Sequence, residues 1–291
     1  MTPAPALPNW LDPELYPFRP KAFHTPEGRM SYVDEGQGPA VLLVHGTPNW
    51  SFTWREVVQD LALDHRVVAP DHLGFGLSDA APPRHLGLGA HTRRLAALIE
   101  HLELRDLTLV VQGFGGPLGL PLALGGLGRV ERVVVTNSWM WPLAHASWHF
   151  PLKRLLETPL GRWLHLDLGV QARWLLPWGF SRRGRLHRHV HRHYLAPQSA
   201  RERRLGTLAM AHALVNGDRY FAALWDKREA LTSMSLDLVW GMEDPWLGVT
   251  ALECWRLAFP QALVHEVASC GHYVAEEAPE KLIRVIRGLE A

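Results

Sequence analysis

Short apolar runs of strand length recur along the chain, each bounded by polar or glycine-rich breaks. They are Val41-Leu-Leu-Val44, Arg66-Val-Val-Ala-Pro70, Leu107–Val111, Arg132-Val-Val-Val135, Leu236-Asp-Leu-Val-Trp240 and Gln261-Ala-Leu-Val-His-Glu-Val267. Near-continuous runs of this kind fit parallel strands buried on both faces. Between them the apolar spacing becomes helical, which predicts helices over about Phe52–Leu61, Thr92–Leu104 and Pro279–Glu290. Lys21 to Asp34 reads as a hairpin turning at Pro26-Glu-Gly28, and the proline-rich residues 1–20 as an extended arm over the surface. From Asn137 to about Arg228 strand runs give way to helical periodicity, and tryptophans 139, 141, 148, 163, 174, 178 and 225 crowd in. This order predicts an α/β fold, a mostly parallel doubly wound sheet carrying an inserted helical cap. Residues 1–136 and 229–291 would form the core and 137–228 the cap. Ligands bind such sheets at the carboxyl ends of the strands, so the cap would roof that edge.

Composition removes several function classes. At 291 residues and 47% hydrophobic content, the chain holds material for a substantial core. Thirty Lys+Arg against 29 Asp+Glu leaves no bulk charge with which to hold nucleic acid. Cys254 and Cys270 make neither a disulfide framework nor a zinc pattern. The start, Met1-Thr-Pro-Ala-Pro-Ala-Leu-Pro8, lacks the basic residues and apolar run of a signal peptide. No stretch reaches the ~18 apolar residues that a membrane span needs. The expectation is a cytoplasmic protein with no membrane span and no call for a cofactor or metal. The one biased segment, Arg182–His193, spaces His189 and His193 four apart; with no acidic or Cys partner nearby in sequence, it reads as the basic, solvated face of a helix.

Candidate chemistry sits where three predicted strands end. Val110-Val-Gln-Gly113-Phe-Gly-Gly, a strand running into a glycine-dense turn and then a helix, has the form of an elbow that presents a nucleophile. The apex residue is Gly113, which has no side chain. Asp244 follows the run ending at Trp240, and His272 follows the last strand. A carboxylate beside a histidine fixes its tautomer and stabilises the imidazolium, as general-base catalysis needs. Other side chains fit such work less well. Ser78 and Ser138 lie near strand ends but off the elbow, Ser78 reading as a loop or helix-cap residue. Cys270 reads as a buried structural thiol, and Tyr194 and Tyr220 as cap packing. Trp139, Trp141 and Trp148 are the candidates to line an apolar pocket.

With these segments in place, the chain resembles the haloalkane dehalogenases of the α/β-hydrolase fold. His45-Gly-Thr-Pro-Asn-Trp-Ser is similar to that family's HGNP-type loop, and Ala69-Pro-Asp-His-Leu-Gly-Phe-Gly-Leu-Ser-Asp79 to its next strand and loop. Val110-Val-Gln-Gly-Phe-Gly-Gly is similar to VVQDWGG, and Gly241-Met-Glu-Asp and Gly271-His to the acid and base segments. The resemblance implies that an Asp carboxylate displaces halide to form an ester, which histidine-activated water hydrolyses. By position it implies Asp244 as the acid, His272 as the base and Gly113 as the nucleophile position. The family's halide-holding Asn and Trp correspond to Thr47, whose hydroxyl is a candidate donor, and Phe114. Main-chain N–H groups at these two positions would serve as an oxyanion or halide site. The expected ligand is a small apolar substrate, with halide as a candidate partner. Three readings follow: a dehalogenase-like scaffold without its covalent step, a non-catalytic small-molecule binder, or an esterase, lactonase, epoxide-hydrolase-like or lyase activity of the Asp244–His272 pair.

Overall fold

The computed structural model describes residues 7–125, 130–181 and 186–290. The hairpin forms as β1 (Lys21–Thr25) and β2 (Gly28–Glu35), and β3 (Ala40–Val44) follows. A 3₁₀ turn over Ser51–Trp54 leads into α1 (Arg55–Leu61), then β4 (Arg66–Pro70), α2 (Leu88–His101), β5 (Leu107–Gly113), α3 (Gly115–Leu124) and β6 (Val130–Ser138). Every described element from there to β7 is helical: α4 (His149–Leu156), α5 (Pro159–Leu166), a π-turn (Gln171–Leu175) running into α6 (Leu176–Trp178), α7 (Arg188–Leu195), α8 (Leu205–Asn216) and α9 (Asp218–Asp226), with short 3₁₀ turns between. Strands resume with β7 (Ser235–Gly241), then α10 (Val249–Ala258), β8 (Leu263–Val267), α11 (Val274–Glu277) and α12 (Pro279–Ile286).

The eight strands form one sheet in the order β1-β2-β4-β3-β5-β6-β7-β8. The hairpin adds antiparallel at one edge, and every pairing from β4 through β8 is parallel. Strand pleating explains why the apolar runs lack alternation. In β3, Leu42 and Val44 face the layer built with Leu95, Leu98 and Ile99 of α2, while Val41 and Leu43 face Val57, Val58 and Leu61 of α1 and Val285 and Ile286 of α12. Both faces are covered, so both sets must be apolar.

Two expectations change. The N-terminal arm does more than lie on the surface: Tyr16 is buried, its hydroxyl shares a 2.6 Å hydrogen bond with Ser51, and its ring packs on Trp50 and Phe52. Aromatic area this large is better removed from water than left along the surface. The solvated-face reading of the His-rich segment is also overturned for His193; residues 182–185 of that segment lie outside the described residues. His193 stacks on Phe52 at 4.9 Å, and its Nε2 accepts from the Asp12 main-chain N–H at 3.1 Å. His189 bonds the Asp12 carboxylate at 2.7 Å. The acidic partner comes from the arm, far away in sequence.

Candidate active site

The elbow lies at the carboxyl end of β5, a central strand flanked by β3 and β6. Gly113 takes φ +53°, the left-handed conformation that an L side chain adopts only with strain. Gly115, opening α3, must also be bare: a Cβ there would stand 2.1 Å from the Val44 carbonyl oxygen. The bend is braced from β6, where the Ser138 hydroxyl donates to the Gly113 carbonyl at 2.6 Å.

Asp244 and His272 reach the same point from the ends of β7 and β8. His272 Nδ1 donates to Asp244 Oδ2 at 2.7 Å, and both residues are buried. That bond leaves Nε2 of the neutral ring as the acceptor, and Nε2 faces the elbow: a Cβ on Gly113 would stand 2.9 Å from it. Burial is the largest influence on the Asp244 carboxyl and pulls its pKa up. The charge and hydrogen bond of His272, with main-chain N–H groups of Trp246 and Leu247, outweigh it and leave the pKa below the ordinary value. Asp244 is therefore a carboxylate at neutral pH, suited to orient the ring and balance its charge.

Asn137, Trp246 and Gln171 complete the surroundings, and none stands out in the sequence. Asn137 ends β6 at φ +37° and donates from Nδ2 to Asp244 Oδ2 at 2.9 Å and to the Gly241 carbonyl at 3.0 Å, while its Oδ1 accepts from the Gly241 N–H at 2.8 Å. The only available signal was the position itself, a strand-ending Asn, the residue type most tolerant of a left-handed backbone after glycine. Trp246 donates its main-chain N–H to Asp244 Oδ1 at 2.8 Å, and its ring lies edge-on to His272 at 5.0 Å. Asn137→Ala is expected to destabilise the fold by roughly 2–4 kcal/mol, the sum of orphaned buried groups and a left-handed alanine. A chemical-denaturation midpoint unchanged from wild type would show that Asn137 does not anchor Asp244.

Opposite the pair, the loop after β3 abuts the elbow; a Cβ on Gly46 would stand 2.9 Å from the Phe114 nitrogen. As the residue preceding the first turn of α3, Phe114 has a main-chain N–H with no intrahelical acceptor. The Thr47 hydroxyl donates to Gln171 Oε1 at 2.9 Å rather than standing free for an anion, and Gln171 Nε2 donates on to the Thr207 carbonyl at 2.8 Å. The Phe114 ring meets Trp139 edge-on at 4.9 Å. Trp139 is buried beside the elbow, Trp141 packs against Trp225 and Trp255, and Trp148 is 43% exposed at the start of α4.

The remaining candidates are engaged elsewhere. The Ser78 hydroxyl donates to the Asp71 carbonyl and accepts from the Ser31 N–H, so it ties the loop after β4 to strand β2 rather than capping a helix. Tyr194 donates to the Glu276 carboxylate, Tyr220 to the Pro117 carbonyl at 2.9 Å, and Cys270 is buried. Among the described residues, no group of three or more His, Cys, Asp or Glu side chains is placed to hold a metal ion.

The α/β-hydrolase fold family model matches residues 39–279. Haloalkane dehalogenase 2 of Mycobacterium tuberculosis is 32% identical over 279 residues, covering 94% of this chain and 96% of that protein. A cis-3-alkyl-4-alkyloxetan-2-one decarboxylase of Xanthomonas campestris pv. campestris is 33% identical over 294 residues, covering 94% and 96%. The solved structure of haloalkane dehalogenase DbeA from Bradyrhizobium elkani superposes with a TM-score of 0.83 at 23% identity, covering 93% of this chain and 96% of that one, a likeness of fold.

Proposed function

Given that the chain belongs to the haloalkane dehalogenase family of the α/β-hydrolase fold, we propose that it retains the general-base half of that chemistry and opens small apolar esters or lactones. The observation that carries this reading is the buried Asp244–His272 pair, whose Nε2 faces a Gly113 that offers no carboxylate. Nε2 takes a proton from water as the water oxygen bonds to the substrate carbonyl carbon. The carbonyl oxygen gains the electron pair and is met by the main-chain N–H groups of Thr47 and Phe114. Collapse then breaks the C–O bond, and the departing alkoxide recovers the proton from His272. A strained lactone suits a site without a covalent nucleophile, because ring strain lowers the barrier to direct attack. The decarboxylase relative, named for an oxetan-2-one, a four-membered lactone, supports this substrate class.

Residues 137–228 act in this reading as a cap over a core of 1–136 and 229–291. Its support is the set of contacts between helical segment and site: the Gly179 carbonyl accepts the His272 main-chain N–H at 2.7 Å, Gln171 accepts from Thr47, and Trp178 meets Trp246 edge-on at 6.4 Å. The expected result is hydrolysis of an activated ester or β-lactone that falls at least ~10²-fold in His272→Ala, with no halide released from 1-haloalkanes. Turnover unaffected by His272→Ala overturns the assignment of the base. Saturable ligand-dependent stabilisation without turnover identifies a binding protein instead.

A further inference from the structure

The exposed tryptophans of this chain are concentrated in one segment. Of the six among the described residues, four are Trp148, Trp163, Trp174 and Trp178. These four, with Phe150 and Leu160, are 43–63% exposed, far more apolar area than a helix packed on a core needs to leave in water. The packing shows which way they face. Leu156 of α4, Leu166 of α5 and Leu208, Ala211 and Val215 of α8 bury one another, which turns the opposite faces of α4 and α5 to solvent. Those outer faces are apolar and cationic together. On α4 the Arg154 guanidinium lies 5.7 Å over the ring of Phe150, one turn earlier. On α5, Leu160 and Trp163 share the outer face beside exposed Arg162. Across the π-turn and α6, Ala172 and Leu176 turn inward, whereas Arg173, Trp174 and Trp178 turn outward.

Charge is partitioned along the chain in the same way. Residues 137–228 hold 15 of the chain's 30 Lys+Arg but only five of its 29 Asp+Glu, a net charge of +10 against −9 for the remainder. Tryptophan, an apolar body with one N–H, settles at the boundary between lipid headgroups and acyl chains, and arginines beside it meet anionic headgroups. A second copy meeting this face with its own would set +10 against +10. An anionic lipid surface instead attracts this segment and repels the acidic remainder, which fixes one orientation.

We propose that the outer face of α4, α5, the π-turn and α6 docks on a bilayer surface that carries anionic phospholipid. Arg154, Arg162 and Arg173 meet the phosphates, while Phe150, Leu160 and the tryptophans enter at headgroup depth. The docked face leads to the site: Trp178 meets Trp246 edge-on at 6.4 Å, and Trp246 lies edge-on to His272 at 5.0 Å. Apolar molecules dissolved in the lipid are thereby presented on the side of the base. Among the described residues no helix is long and apolar enough to cross a membrane, and a docked face needs none. Vesicle binding requires no turnover, so the proposal stands independently of the lactone reading.

The test is co-sedimentation of the full chain with vesicles of phosphatidylcholine alone and of phosphatidylcholine mixed with phosphatidylglycerol. Quenching of tryptophan fluorescence by lipids brominated on the acyl chain reads insertion. Binding to the mixed vesicles is expected to be at least ~10-fold tighter than to the neutral ones, to weaken with salt, and to be accompanied by quenching. Trp163→Ser/Trp174→Ser, altered at two exposed positions, is expected to keep the parent's melting temperature and to bind mixed vesicles at least ~10-fold more weakly. Arg154→Gln/Arg162→Gln/Arg173→Gln is expected to lose most of the preference for mixed vesicles. His272→Ala should bind them as the parent does, which separates this surface from the chemistry. The proposal is overturned if mixed vesicles are not bound, if binding brings no quenching, or if either surface variant binds as the parent does. A chain that ignores vesicles but self-associates through the two tryptophans, or binds duplex DNA instead, overturns it as well.

Discussion

Gly113→Asp is expected to release halide from 1-haloalkanes, where the unsubstituted chain is expected to release none. The new carboxylate would attack the halogenated carbon as halide leaves with the bonding pair, and His272 would then activate the water that hydrolyses the ester. Asp244, His272 and the elbow already stand together, so one side chain would supply the group that the proposed sequence of steps lacks. The substitution carries strain. At φ +53° a non-glycine residue costs about 1–2 kcal/mol, and its Cβ begins 2.9 Å from His272 Nε2. The ring must therefore retreat by a few tenths of an ångström. It is held by Asp244 at Nδ1 and flanked edge-on by Trp246 and Tyr273, each at 5.0 Å. Gly113→Ala separates strain from chemistry: it should lower stability similarly and release no halide.

The variant's rate should still be limited by the leaving-group side. Phe114 has no side-chain donor, and the Thr47 hydroxyl is committed to Gln171. Loss of one donor of this type lowers a rate by about 10²–10³-fold, so adding Phe114→Trp to Gly113→Asp should raise halide release by at least tenfold. Gly113→Asp/His272→Ala should instead accumulate the alkyl ester, visible as added alkyl mass on the intact protein. If folded Gly113→Asp gives neither halide nor ester, the family's displacement chemistry does not extend to this site.

The sheet was legible because its physics is local. Val41–Val44 and Val133–Val135 are buried on both faces and so carry no alternation, and β4 occupies the whole of the predicted Arg66–Pro70 run. Helix boundaries were less so: α2 spans Leu88–His101 rather than Thr92–Leu104, because Gly87 and Gly89 give little periodic signal at its start. Asp244, His272 and Gly113 could be named because Gly113 ends a strand run and the other two lie in the short segments that follow one. Asn137 and Gln171 could not, since their partners lie 107 and 124 residues away and no local pattern requires them. The Asp12 pairing with His189, across 177 residues, is a third case. Short-range patterns place elements and the residues at their ends, whereas polar contacts between distant loops are set by the assembled fold.

Acidification from pH 6.5 towards 4 is expected to unfold the protein, driven by three buried histidines packed in series, His45 on His72 and His72 on His91. His45, His72 and His91 are all buried, with ring centroids 4.4 Å apart for the first pair and 5.1 Å for the second. Burial lowers the His45 pKa to about 4 against the pull of the Gly46 carbonyl. His72 and His91 are held well below their ordinary value, first by burial and then by neighbouring His and Arg charge. Below pH 6.5 the unfolded chain therefore takes up protons that the folded chain refuses, so stability falls as pH falls, by about 1.4 kcal/mol per pH unit for each histidine. Asp71 acts oppositely: burial raises its carboxyl pKa to about 6, so between that value and its ordinary 3.8 the folded state binds the extra proton. Three against one leaves a net loss of about 3 kcal/mol per pH unit below pH 6, enough over two units to consume much of the roughly 5–15 kcal/mol that holds a typical fold together. Denaturant unfolding at pH 7, 6 and 5 measures that slope. His91→Gln keeps an acceptor for Arg94, which donates to His91 Nδ1 at 3.1 Å, and removes one titrating group. It should flatten the slope by about 1.4 kcal/mol per pH unit. An unchanged slope in that variant, or stability level between pH 7 and 5 in the parent, would place the acid sensitivity outside the histidine cluster.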